Sequence, residues 1–235
     1  KPRLLQRNRI INRLDMNVNL NEDIKMQGNI NLESKLTHPE QLAESALDDP
    51  SLLKELLDGI APQHQKSTRR ENCSQALMFM AETWPQILLP HWDYFVKLMS
   101  GQNGFSKYVA IYVIASLVKE DKTSKFKQSW NNYRSLLDDD SVMVASHAAL
   151  NAAKIAKIRP DMREDIIMAL LKIDETHHEA GHLGLIKAYI IEGLDLLYEQ
   201  STKKSEILSF VRAQMQAPST KAVKNAKAFL KKWDI

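Results

Sequence analysis

The chain has 235 residues, 44% hydrophobic and 26% charged, which suffices for one large core or an elongated array and excludes a disordered composition. Its 7 Gly and 8 Pro are too few for the many tight turns of an all-β fold. A net charge of +3 does not by itself mark a nucleic-acid binder, and the single cysteine excludes an internal disulfide.

Residues 1–35 differ in texture from the rest. Pro2–Leu14 has the apolar spacing of a short amphipathic helix, with Leu4, Leu5, Ile10, Ile11 and Leu14. An alternating stretch follows, with Met16, Val18 and Leu20 set against Asn17, Asn19 and Asn21. Period-two alternation suggests extended structure, although Asn is a poor strand former. This segment reads as an N-terminal arm, either ordered or a flexible leader, set apart from residues 36–235.

From Thr37 onward the pattern is helical, with expected helices over 39–47, 50–60, 68–82, 85–99, 105–119, 124–138, 142–158, 161–173, 177–199, 205–216 and 219–233. Four starts carry a capping side chain three residues before a Glu: Thr37 with Glu40, Thr68 with Glu71, Asp161 with Glu164 and Thr176 with Glu179. Asp49-Pro50 marks a fifth, with Pro at the first helical position. Cys73 falls within an expected helix and reads as a buried, inert thiol, consistent with a reducing compartment, here expected to be the cytoplasm. No run approaches the ~18 apolar residues of a membrane-spanning helix, and no signal peptide is visible.

The expected helices pair from residue 50 onward, and the pairs recur. His91–Met99 and Ser129–Leu137 place Trp92 and Trp130, and Leu98 and Leu136, 38 residues apart. Each is followed by a polar turn and a second apolar helix. A period of ~20–50 residues marks units that cannot bury their own apolar face and do so by stacking. Five units result: 50–82, 85–119, 124–158, 161–199 and 205–233. The second helices are rich in small residues, including Ala145, Ala148, Ala149, Ala152, Ala153 and Ala156 in one, and Ala180, Gly184 and Ala188 on one face of the next. Small side chains let helix axes approach closely.

The segment Leu136–Leu150 resembles the centre of the HEAT-like repeat family: a paired-Leu helix end, the acidic turn Asp138–Asp140, a Val, then an inner helix with Ala148-Ala149-Leu150. The resemblance is strongest in this unit and looser over the rest of 50–233. It departs from the family where Ala145 follows Val144, a place that often holds Arg or Lys. The tetratricopeptide family has a similar period, but its Trp-Leu-Gly-Tyr pattern is missing. The resemblance implies an all-α, right-handed α-solenoid of about five helix pairs. It says almost nothing of function, because such arrays serve many roles.

Three candidate chemistries remain. His178-Glu179-Ala180-Gly181-His182 matches the His-Glu-x-x-His pattern of zinc hydrolases, in which two His one helical turn apart hold Zn²⁺ and the Glu serves as base. Against it, Glu179 has a capping role, and no His follows residue 182 to complete an extended pattern. The chain ends are basic: five basic residues and no acid in 1–13, eight basic against two acidic in 201–235. Lys224, Lys227 and Lys231 share a helical face that is either a phosphate-contacting stripe or the solvated side of a terminal helix. Trp92 and Trp130 are candidate partner-binding hot spots, although their repetition argues for packing. Glycosylases for alkylated bases built on HEAT-like repeats use aromatics and an acid on a basic surface. Here Asp93 lies beside Trp92, but the middle of the chain is mildly acidic.

The leading expectation is a non-catalytic scaffold for a protein or peptide, with no cofactor. Nucleic-acid binding through the basic ends is the first alternative, and zinc-dependent hydrolysis the second.

Overall fold

The computed structural model describes residues 32–34 and 38–235, which form helices and the turns between them, with no strand among them. The arm expected over 1–35 lies outside the described residues except for Leu32–Ser34, and so does the cap expected at Thr37. In chain order the helices are α1 (Pro39–Ser45), α2 (Pro50–Gly59), α3 (Thr68–Thr83), α4 (Pro85–Leu88), α5 (Trp92–Met99), α6 (Gly104–Leu117), α7 (Lys125–Arg134), α8 (Val142–Ile158), α9 (Arg163–Leu171), α10 (Ala180–Asp195), α11 (Lys204–Ala213) and α12 (Thr220–Lys232). Several first helices finish in a tight 3₁₀ turn, at Ser135–Asp138, Ile173–Glu175 and Gln214–Gln216.

Local chemistry sets the boundaries. Asp49 caps α2 by accepting from the N–H groups of Ser51 and Leu52 at 2.9 and 3.1 Å. Ser67, Asn103, Ser141 and Ser219 cap α3, α6, α8 and α12 in the same way. The helix expected over 85–99 is broken into α4, the turn Leu89–His91 and α5. Pro90 has no N–H to continue the ladder, and its ring clashes with the carbonyl four residues back.

Three expected caps are corrected. Thr68 is the first residue of α3, and Ser67 makes the cap. Asp161 instead pairs with Arg159 through two contacts of 2.8 Å. Thr176 turns its hydroxyl back onto the Ile173 carbonyl at 2.6 Å, and Glu179 stands at the start of α10 with no side-chain cap bond. For Asp161 and Thr176 a nearby partner takes the polar side chain.

The long second helices pack in succession, α3 on α6, α6 on α8, α8 on α10 and α10 on α12. The shorter first helices make lighter contacts of the same kind, α5 with α7 and α9 with α11. The core lies between the two layers, with Phe95, Phe126, Tyr133, Ile111, Leu170 and Ile190 fully buried. The small residues set the spacing. A Cβ on Gly193 would lie 2.6 Å from the Ala153 Cβ, and one on Gly184 would lie 2.7 Å from the Ser219 Cβ. These two glycines let α10 sit against both neighbours.

Several polar bonds between neighbouring helices span 37 residues of sequence. The Trp92 indole N–H donates to Ser129, and the Tyr94 hydroxyl donates to the Leu57 carbonyl, each across 37 residues. Asn225 donates to the Ala188 carbonyl and Lys232 pairs with Asp195 across the same interval. Lys107 and Asp139, both largely buried, join α6 to the turn before α8. The acidic turn Asp138–Asp140 therefore contributes an inter-unit ion pair as well as a solvated corner. Arg70, 6% exposed, makes the neighbouring connection with neutral partners: the His64 carbonyl, Asn103 and Ser106.

Candidate interaction surface

Tyr108 and Tyr112 are one turn apart on α6 and so share a face. That face lies beside His147 of α8, which in turn meets Tyr189 of α10. Ring centroids are 5.0 Å apart for Tyr108–Tyr112 and Tyr108–His147, 5.7 Å for Tyr112–His147 and 5.3 Å for His147–Tyr189. All four side chains are half-buried. The Tyr112 hydroxyl lies 3.0 Å from His147 Nδ1. The result is a continuous polar-aromatic strip across three second helices.

Two lysines border the strip. Lys154 of α8 is exposed and places its ammonium 5.3 Å from the Tyr112 ring centre. Lys221 of α12 sits 3.4 Å above the Tyr189 ring centre. Cations over aromatic faces are held by the ring quadrupole. Burial pushes the His147 imidazole below its ordinary value, and the charges of Lys221 and Lys154 push it the same way. Burial likewise raises the Tyr112 phenol, assisted by Tyr108. His147 is therefore neutral and Tyr112 protonated at neutral pH, so the strip presents phenols, ring edges and two ammonium groups.

The residues singled out from sequence are scattered. Trp92 is 1% exposed and belongs to the core, so it presents no surface to a partner. Trp130 is half-buried and stacks on Tyr133 at 6.3 Å, beside Phe126. Asp93 is solvent-exposed, 3.9 Å from Lys125. Lys224, Lys227 and Lys231 are exposed on α12, and none is in an ion pair among the described residues.

The His-Glu-x-x-His segment does not have the arrangement its spacing suggested. α10 begins at Ala180, so His178 and Glu179 precede it and the shared helical face of His178 and His182 is lost. His178 is buried, with Nε2 3.1 Å from the Leu137 carbonyl; since that oxygen only accepts, Nε2 carries the proton. His177 contacts Asp138 at 2.6 Å. Burial raises the Asp138 carboxyl, but the hydrogen bonds from His177 outweigh it, leaving the group below its ordinary range. No cluster of three or more His, Cys, Asp or Glu side chains suited to a metal occurs among the described residues.

A cavity of about 750 Å³ opens at the start of α3, with Lys66, Thr68, Arg70, Gln75 and Phe105 in its walls. The Arg70 guanidinium in its wall is bonded to the His64 carbonyl, Asn103 and Ser106 and rests 4.3 Å from the Phe105 ring centre. No helix among the described residues is long and apolar enough to cross a membrane. No protein-family model matches the chain, and no curated protein matches it.

The strip escaped sequence reasoning because Tyr108, Tyr112, His147 and Tyr189 sit at non-equivalent places along three different helices. The i, i+4 spacing of Tyr108 and Tyr112 on an otherwise apolar helix was the available signal.

Proposed function

We propose that this protein is a non-catalytic interaction scaffold, a right-handed α-solenoid of about five HEAT-like helix pairs that engages a protein or peptide partner on its second-helix face. The succession of packed second helices and the inter-unit bonds near the repeat period support the array. The observation that carries the partner-binding role is the strip of Tyr108, Tyr112, His147 and Tyr189. Tyrosines are favoured at binding surfaces because they offer large contact area with a polar tip and little rotamer entropy to lose. Half-burial fixes the rings before a partner arrives.

The test is affinity capture from the native source after nuclease treatment, comparing the wild-type chain with Tyr112→Ala/Tyr189→Ala. A stoichiometric protein retained by the wild type and lost by the variant is the expected result. Equal retention by both would remove the strip from the account.

A second reading is favoured by Lys224, Lys227 and Lys231, exposed and without an ion pair among the described residues: nucleic-acid binding through the basic face of α12. It requires affinity for a DNA or RNA duplex that falls steeply with salt, because each neutralised phosphate releases counterions. A salt-independent or absent interaction removes it.

A further inference from the structure

We propose that the strip from Tyr108 to Tyr189 receives an extended acidic segment of a partner protein, with Lys154 and Lys221 meeting its carboxylates. This rests on the strip being the partner-binding surface and adds the chemistry of what binds there.

The first argument is charge. Three lysines on these helices are already paired: Lys107 with Asp139, Lys187 with Asp174 and Lys232 with Asp195. Lys154 and Lys221 have no carboxylate partner among the described residues and rest on tyrosine faces instead. Both stand close enough to His147 to bear on it electrostatically, so their fields converge on the middle of the strip. Lys224 follows Lys221 at a spacing of three and so shares its side of α12, extending the cationic track beyond the strip. Glu192, three residues after Tyr189 on α10, is exposed, and Asp195 follows it on the same side, where it pairs with Lys232.

The second argument is the apolar lining. Met143 is 47% exposed one turn before His147, and Leu185 is 38% exposed one turn before Tyr189. They stand on the same helix faces as the strip and offer contacts to apolar residues interspersed among the acids.

The third argument separates a peptide from a nucleic acid. Single-stranded nucleic acid binds aromatic platforms through open ring faces on which bases stack. Here an ammonium covers a face of Tyr112 and another covers a face of Tyr189. Tyr108, Tyr112 and His147 lean on one another at interplanar angles of 51–85°. What remains is a set of hydroxyls, ring edges and cations, which suits carboxylates and small apolar side chains.

The experiment is selection of a phage-displayed random peptide library on the full chain, followed by fluorescence anisotropy of selected peptides, with labelled oligo(dT) measured alongside. The selected pool is expected to be enriched in Asp and Glu with interspersed apolar residues. Binding of those peptides should weaken by about ten-fold or more in Lys154→Glu/Lys221→Glu and fall with added salt. It should also weaken in Tyr112→Ala/Tyr189→Ala. Peptides that need the tyrosines but lack acids, or that bind the charge-reversed variant equally well, would overturn the acidic partner and keep the strip as an interaction surface. A pool in which nothing depends on either pair would overturn both. Tyrosine-dependent oligo(dT) binding without an acidic peptide pool would assign the surface to nucleic acid. Thermal melting of each variant, with Lys221→Gln as a milder companion, separates lost binding from lost folding.

Discussion

Trp92 and Tyr189 are both large aromatics with a polar tip, yet they belong to different layers and do different work. Trp92, in the first-helix layer, has a counterpart at Trp130, is buried, and donates to Ser129 of the next unit. Tyr189, in the second-helix layer, has Asn151 and Lys227 at the positions 38 residues before and after it, and it is half-buried under a lysine. On the proposed array, Trp92 and Trp130 recur because they pack helices together. Tyr189 has no such counterpart, which on the same proposal leaves it available for a partner.

The largest effect that tests this contrast is on stability. Trp92→Ala should cost about 3–5 kcal/mol, because it removes a filled core position and leaves a cavity. Tyr189→Ala should cost about 1 kcal/mol or less in the same denaturant titration, as expected of a partly solvated side chain. Equal losses would dissolve the distinction between the layers.

Next in size is the close approach of second helices. Gly193→Ala places a methyl group against Ala153 and should destabilise by about 1–3 kcal/mol through overpacking, less up to about 1 kcal/mol from better helix propensity. Ala153→Gly in the same chain should restore part of the loss. A double-mutant cycle with no coupling would show that α8 and α10 are not held by this contact.

The third prediction concerns pH. The folded chain holds His147 below its ordinary value of 6.5, so the unfolded chain takes up a proton first as pH falls. The unfolded state then binds more protons, and stability declines as pH drops through 6.5 toward the folded value. His147→Gln should remove that component of the acid sensitivity and leave stability at pH 8 nearly unchanged. A variant with the same pH profile as the wild type would show that His147 is not desolvated by the strip.

The smallest expected effect is on the border. Lys154→Glu should alter stability by less than about 0.5 kcal/mol, since an exposed charge contributes little to folding. A large loss would make Lys154 structural and weaken its role at the surface.

Much of the fold was legible in the sequence, and for a physical reason. Apolar periodicity reports which face of each helix is buried, and α8 spans Val142–Ile158 as the pattern predicts. Caps were less legible. Thr68, Asp161 and Thr176 had the right spacing, but Ser67 takes the cap beside Thr68, and Arg159 and the Ile173 carbonyl, two and three residues away, take the side chains of Asp161 and Thr176. The His178 pattern failed for a related cause, since its metal reading needed a helix that begins only at Ala180. The candidate surface was least legible, because Tyr108, His147, Tyr189 and Lys221 come from four helices and become neighbours only through stacking.

The most direct test of the account is site-specific photo-crosslinking with p-benzoylphenylalanine at position 189 or at position 130, in nuclease-treated native extract. The account predicts a discrete protein adduct from position 189, on the second-helix face, and none from position 130, on the first. An adduct from position 130 with none from position 189 would contradict it and move the partner to the other layer.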